Sequence, residues 1–183
     1  TGVQTCALPI CEIATRLKSV GFVNVEAAFG SVKPPFGFTS IEGIYFPAQY
    51  SFAKGTSAVT AIQSMIDRFE KEAQAVGLKN ESELVIASLI QAEGDPQDFS
   101  KISRVIYNRL KIGMPLQFDT TVQYLLKKRG SVFLSTKSTL INSPYNTYKR
   151  YGLPPAPIGN PGVAAMKAAR SEEHTSELQS HHD

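Results

Sequence analysis

Between Val85 and Ala92 the chain carries only two polar side chains, Ser88 and Gln91, before a single glutamate, Glu93, and a Gly-Asp-Pro stop. Val85, Leu89 and Glu93 are spaced by four, so on a helix they form one stripe and the acid continues an apolar face. Glu93 also falls in the last turn of that helix, where the backbone dipole is negative and disfavours another negative charge. Desolvation and dipole both push its pKa upward, the direction required of a carboxylic acid that still holds its proton near neutrality. The plainer alternative is a side chain that bends to solvent at a frayed end, or pairs with Arg104 or Arg109.

Other acids compete for a role. Asp95 and Asp98 flank Pro96 and read as turn and cap residues, while Asp119 precedes Thr120-Thr121-Val122 in an N-cap position. No second carboxylate is clearly matched to Glu93, whereas ordinary glycosidases use a pair. A one-acid enzyme needs its substrate, or the same glutamate acting twice, to supply the second function.

The two ends distort the rest of the inventory. The opening TGVQTCALPI can be encoded by ACT GGA GTT CAG ACG TGT GCT CTT CCG ATC. Read on the complementary strand with a T following, that DNA translates as RSEEHTSELQ, which is the sequence from Arg170 to Gln179. Two ends encoded by one segment on opposite strands resemble translated sequencing-adapter DNA, so residues 1–10 and 170–183 are expected to make few buried contacts. All three histidines (His174, His181, His182) lie in the second segment, Cys6 lies in the first, and Cys11 sits at the junction. Zinc sites, histidine-assisted nucleophiles and disulfide frameworks are therefore not expected between 12 and 169, and no metal or cofactor is. Within that core eighteen basic residues face twelve acidic ones, a net charge of +6. The bias is local: residues 101–150 hold ten Lys or Arg and one acid, Asp119. Such a segment suits an anionic partner or is simply a solvated face.

Periodicity supplies the elements that must position these groups. Ile13, Leu17 and Val20 predict a short helix over 12–20, and the alternation in 41–50 predicts a strand that Pro47 confines to an edge or bulge. A helix over 57–76 is capped by Thr56 or Ser57, buries Val59, Ile62, Ile66, Phe69 and Ala73, and stops at Gly77. Asn80 with Glu83 three residues later marks the start of the next helix, whose apolar Leu84–Ile90 run predicts burial on nearly every side. A further helix begins at Asp98 or Ser100 and runs through Leu110, with Ile102, Val105, Ile106 and Leu110 inward. Another runs from Thr120 to about Lys128. The stretch 142–162, with five prolines and three tyrosines, predicts a long loop with a functional surface.

These residues carry a family resemblance. ASLIQAEG, then ISRVIYNRLKIGMPLQFDTTVQY, then SPYNTY and GLPPAPIGNPG resemble the catalytic domain of the endolytic murein transglycosylases of the MltG (YceG-like) family. IEGIYFPAQY is similar to the family's upstream LEG segment. The resemblance covers roughly residues 40–169. It implies cleavage of peptidoglycan glycan strands with formation of 1,6-anhydro-N-acetylmuramic acid ends, using no metal or cofactor. Many members read E-K-E where this chain reads Gln91-Ala92-Glu93, so the catalytic role carries over to Glu93. Asn108, Gln117, Asp119, Thr121, Tyr145, Asn146 and Tyr148 match motif positions implied to line the cleft and bind substrate.

The same resemblance implies an extracytoplasmic catalytic domain, a parent protein with an N-terminal single-pass membrane anchor and a LysM-like module, and, by analogy, work beside peptidoglycan synthases. The expected fold is α+β: a mostly helical catalytic domain with a long Pro/Tyr-rich loop, preceded by a partial strand-containing region. Its expected divisions are 11–79 for the N-terminal region and connecting helix and 80–169 for the catalytic domain, between adapter-like 1–10 and 170–183. A hydrolytic muramidase using Asp119 to activate water is the nearest rival, and a non-catalytic binder of an anionic polymer the next. Nucleic acid is not expected, for want of a groove-reading helix or a ring of stacking aromatics. An aminodeoxychorismate lyase is ranked last because no Gly-rich phosphate loop is present.

Overall fold

The computed structural model describes residues 2–4, 8–128 and 134–170. A short strand, β1 (Gly2–Gln4), precedes helices α1 (Ile10–Ser19) and α2 (Val25–Ser31) and a second strand, β2 (Gln49–Ser51). There follow α3 (Ala58–Val76), α4 (Glu81–Glu93), α5 (Phe99–Lys111), α6 (Asp119–Leu125), the single turn α7 (Thr136–Thr139) and α8 (Val163–Ala169). β1 and β2 pair antiparallel with Val3 opposite Tyr50, and form a two-stranded sheet. The fold is thus predominantly helical α+β, as expected.

Helix α4 is the axis of the domain. Asn80 caps it by accepting the Glu83 N–H at 2.9 Å, and Glu83 reaches back to accept the Lys79 N–H at 2.8 Å. That exchange satisfies backbone donors that the first turn leaves unpaired. All seven residues from Leu84 to Ile90 are buried, with α8, α5 and α6 packed around them. Burial of each large aliphatic side chain contributes ~1.5–3 kcal/mol, and truncating fully buried Leu84 or Leu89 to alanine would cost ~2–5 kcal/mol. α3 lies against α8 and α2, starts at Ser57, whose hydroxyl accepts the Thr60 N–H at 3.1 Å, and ends where Gly77 turns left-handed at φ +74. The Gly77 and Leu78 N–H groups then return to Gln74 and Ala73, closing the helix as a Schellman turn. The last carbonyls of α8 are met from α5, where Ser103 donates to Ala168 O at 2.7 Å and Tyr107 to Ala169 O at 2.6 Å.

Several local expectations give way. Residues 41–50 are not a strand: Ile44, Tyr45 and Phe46 are all buried in succession, which a strand with alternating faces cannot do. Their backbone bonds go instead to Asn160 Oδ1 and to Met65 O, and only Gln49–Ser51 pairs. Val59 and Val105, expected inward, are 45 % and 40 % exposed because each sits at the rim of its helix's apolar stripe. α6 starts one residue early, so Asp119 lies in its first turn and Phe118, not Asp119, stands at the cap position. α2, α7 and α8 have no counterpart in the periodicity: at seven, four and seven residues they are too short for an apolar spacing to repeat, and α8 follows directly on a run of prolines.

The opening segment is also more engaged than expected. β1 pairs with β2, Leu8 is buried, and Ile10 already belongs to α1. Backbone pairing to a free strand edge requires no particular side chains, and an apolar residue such as Leu8 fills core space whatever its origin. At the other end Arg170 donates to Val76 O and stands 3.7 Å from Glu83. The expectation for residues 171–183 falls outside the described residues.

Candidate active site

Glu93 ends α4, half-buried, with Gly94 beyond it in extended backbone. The Thr120 hydroxyl, from the first turn of α6, donates to Glu93 Oε1. Burial raises the Glu93 pKa, the hydrogen bonds from Thr120 oppose that rise, the nearby Asp119 charge adds to it and Arg109 lowers it. The net direction is upward, because loss of water around a carboxylate outweighs two donors and a partly engaged cation. Arg109 does not neutralise the acid outright: it donates to Leu116 O and lies 5.9 Å from the centre of the Phe118 ring.

Asp119 is the second carboxylate at this place, exposed, with its Oδ1 accepting from the Tyr148 hydroxyl. Tyr148 in turn has its pKa pushed up to about 12 by burial, by that bond and by the charges of Asp119 and Glu93. Glu93, Thr120, Asp119 and Tyr148 thus form one electrostatically coupled group drawn from α4, α6 and the Pro/Tyr loop.

The other motif residues divide between exposed and interior positions. Asn108 is exposed on α5. Gln117 is exposed too, at a left-handed φ of +54, where a non-glycine residue is strained; its N–H donates to Thr147 O at 3.0 Å. Thr121 and Asn146 are fully buried and do not face the cleft. Thr121 donates to Phe118 O at 2.7 Å and meets Thr147 Oγ1 at 2.9 Å. Asn146 donates to Thr139 O and Ile141 O at 3.0 and 2.7 Å and accepts the Tyr148 N–H at 3.1 Å. These two hold the loop that presents Tyr148. Tyr145 is half-buried, with its ring 5.3 Å from that of Tyr124.

Ser88 and Gln91, the two polar residues of the apolar run, are explained by the Pro-rich loop. Ser88 Oγ accepts the Ile158 N–H at 3.1 Å, and Gln91 Oε1 accepts the Gly162 N–H at 3.0 Å. A buried segment without regular structure must find acceptors for its amides, and α4 supplies them. The second half of the 142–162 loop is accordingly interior rather than surface: Pro157, Ile158, Gly159, Asn160 and Pro161 are all buried.

A cleft of about 810 Å³ opens beside Glu93. One wall is Ser88, Gln91 and Ala92 of α4, the other Thr120, Gln123 and Tyr124 of α6; the first turn of α1 and Glu42 close it. Thr120 and Ala92 border both the cleft and the acid, so Glu93 stands at the edge of the cleft rather than in its floor. Glu42 was missed in the sequence because its IEG setting carried no chemical pattern. Its two oxygens accept the Ile10 N–H at 3.1 and 3.2 Å, and it lies against the Tyr124 hydroxyl, whose pKa is raised by burial first and then by Glu42. Thr120 was also missed as a partner of the acid, although its place next to Asp119 was visible. Among the described residues no three His, Cys, Asp or Glu side chains lie close enough to hold a metal ion, and no helix is long and apolar enough to cross a membrane.

Fold and site together define a predominantly helical α+β domain with one partly desolvated acid at the edge of a cleft of about 810 Å³. Residues 7–178 match the model of the YceG-like family, and the chain belongs to that family. It is 40 % identical over 147 residues to a Bacillus subtilis protein named endolytic murein transglycosylase, and 32 % identical over 150 residues to one of the same name from Streptococcus pneumoniae. Each alignment covers 75 % of this chain, but only 41 % and 27 % of those relatives. The solved structure of a YceG-like protein from Listeria monocytogenes superposes with a TM-score of 0.71 at 28 % identity, over 92 % of this chain and 65 % of that one. The chain therefore spans less than half the length of the curated relatives it matches.

Proposed function

We propose that this chain carries the catalytic centre of an endolytic peptidoglycan lytic transglycosylase, with Glu93 as its acid and base. The observation that supports this most directly is the environment of Glu93, a desolvated carboxyl group with raised pKa at the edge of a cleft of about 810 Å³. A protonated Glu93 donates to the glycosidic oxygen between N-acetylmuramic acid and N-acetylglucosamine as the bond breaks through an oxocarbenium-like state. The resulting carboxylate then takes the proton of the muramic C6 hydroxyl as that oxygen bonds to C1. The ring closes to the 1,6-anhydro form, and the proton account balances with a single acid.

Thr120 fixes one carboxylate oxygen and leaves the other for proton transfer. Asp119, aligned by Tyr148, keeps negative charge near the developing cation and keeps Glu93 protonated. Asn108, Gln117 and Tyr145 are assigned as sugar contacts, with Thr121 and Asn146 supporting from within the loop. The work is placed at the cell envelope, with membrane anchoring and association with peptidoglycan synthases by the parent protein.

The test is digestion of purified peptidoglycan followed by mass analysis of the released ends. Anhydro ends support the assignment. Reducing muramic ends would transfer it to a hydrolase in which Asp119, already coupled to Glu93, activates water.

A further inference from the structure

Among the described residues, no basic side chain of segment 101–150 forms an ion pair with Glu93, although Arg109 acts on it at longer range. Lys101 pairs with Asp98 at 2.9 Å, Arg109 donates to Leu116 O, Lys149 to Leu140 O and Arg150 to Asn142 Oδ1. Lys127 and Lys128, in contrast, line the cleft at the C-terminal end of α6. Among the described residues neither has a carboxylate partner within ion-pair distance. Their placement is specified by the backbone: the Lys127 N–H returns to Tyr124 O at 3.1 Å and the Lys128 N–H to Gln123 O at 2.9 Å, a Schellman turn. In that turn Lys127 occupies the left-handed position at φ +51, where glycine is the usual residue. A side chain kept at a site that favours glycine is a strained choice, and here it puts an ammonium group on a cleft wall.

The cleft adjoins Glu93 through Ala92 and Thr120, which line it, whereas Asp119 and Tyr148 do not. A glycan cut at Glu93 therefore has one arm in this cleft. At about 810 Å³ it exceeds what a single sugar ring requires. Gln91 and Gln123 offer amides, Tyr124 a ring face, and the two lysines offer positive charge at its mouth. Two acids, Glu12 and Glu42, line the same cleft. Glu42 accepts the Ile10 N–H and lies against the Tyr124 hydroxyl, so the lysines act through the local charge of their adjacent pair at the end of α6 and not through a net positive cleft.

We infer that this cleft is the subsite for the muramoyl residue together with its peptide substituent, and that Lys127 and Lys128 determine specificity by binding a carboxylate of the stem peptide. The inference rests on the peptidoglycan reading above and adds to it which part of the polymer is read. Strands that carry stem peptides should bind more tightly than the same strands stripped of them by an amidase. The advantage should shrink as salt screens the lysines.

Two readouts on soluble glycan strands, with and without stem peptides, test this. The first is equilibrium binding to the Glu93→Gln chain at low and high salt, alone and with Lys127→Gly plus Lys128→Gln added. The second is cleavage by the unsubstituted chain. Glycine accepts the left-handed conformation, so the lysine substitutions keep the turn and should not lower stability. The expected result is about three- to tenfold weaker binding of peptide-bearing strands on losing both charges, with stripped strands bound equally by both. Equal binding of both strand types by the Glu93→Gln chain, or equal loss on both, overturns the subsite. Preference in binding without any cleavage by the unsubstituted chain would leave the subsite standing and sink the activity proposed above.

Discussion

Asn160 offers a sharp test of how the site is held together. It is 1 % exposed, its Oδ1 accepts the Tyr45 N–H at 2.8 Å, and its Nδ2 donates to Leu8 O. One side chain thus ties the Pro-rich loop to the buried 44–46 segment and to the entry of α1. Asn160→Ala removes both partners and leaves a backbone donor and acceptor buried without replacement. Each such orphan costs ~1–3 kcal/mol, so the substitution should destabilise the chain by ~2–6 kcal/mol, against a total of ~5–15 kcal/mol for a domain of this kind. Urea unfolding followed by far-ultraviolet circular dichroism measures it as a lower midpoint at unchanged slope. Asn160→Asp keeps the acceptor for Tyr45 and should retain part of the loss. A change below ~0.5 kcal/mol for the alanine variant, the range of ordinary surface substitutions, would refute the claim that Asn160 links the loop to the core.

Three further outcomes follow from named contacts. Gly43 sits at φ +94, and a Cβ there would stand 2.7 Å from the Pro157 ring; Gly43→Ala should therefore cost ~2–4 kcal/mol by strain and overlap, read in the same urea titration. Thr120→Val removes a donor that lowers the Glu93 pKa, so the alkaline limb of the pH–rate profile should move to higher pH, with Thr120→Ser restoring it; an unmoved limb contradicts the assigned contact. The third outcome concerns the raised Glu93 pKa, which means the folded chain binds its proton more tightly than the unfolded one. Stability from this group is then present below the unfolded pKa and declines as pH rises through the folded pKa. Glu93→Gln should accordingly gain stability relative to the parent at neutral pH and match it near pH 3; a loss at neutral pH would show that the carboxylate is favourably paired.

What the sequence showed depended on how locally each feature is encoded. Helices α3 and α4 were legible because their caps, periodicity and stops lie within a few residues: Ser57, Gly77 and the Asn80–Glu83 exchange are all short-range chemistry. Glu93 was legible as the odd residue on an apolar stripe. The 41–50 segment was misread because its bonds run to Asn160 and Met65, far away in the chain, and its burial on successive residues mimics strand composition. Thr121 and Asn146 matched motif positions, yet a motif does not distinguish a residue that faces a ligand from one that braces the loop behind it. Glu42 and Thr120 join the site only through tertiary packing, which periodicity does not encode. Ser88 and Gln91 make the same point from the other side: their polarity stood out, but their partners, the Ile158 and Gly162 amides, lie some seventy residues on.

The central claim is that Glu93 carries both proton transfers. Its most direct test compares the parent chain with Glu93→Gln on purified peptidoglycan, counting 1,6-anhydro ends by mass analysis while circular dichroism confirms an unchanged fold. Glutamine preserves the shape but can neither donate nor retake a proton, so the account predicts a fall of ~10²–10⁴-fold in the rate at which anhydro ends form. Anhydro ends appearing at the parental rate from a folded Glu93→Gln chain would contradict it.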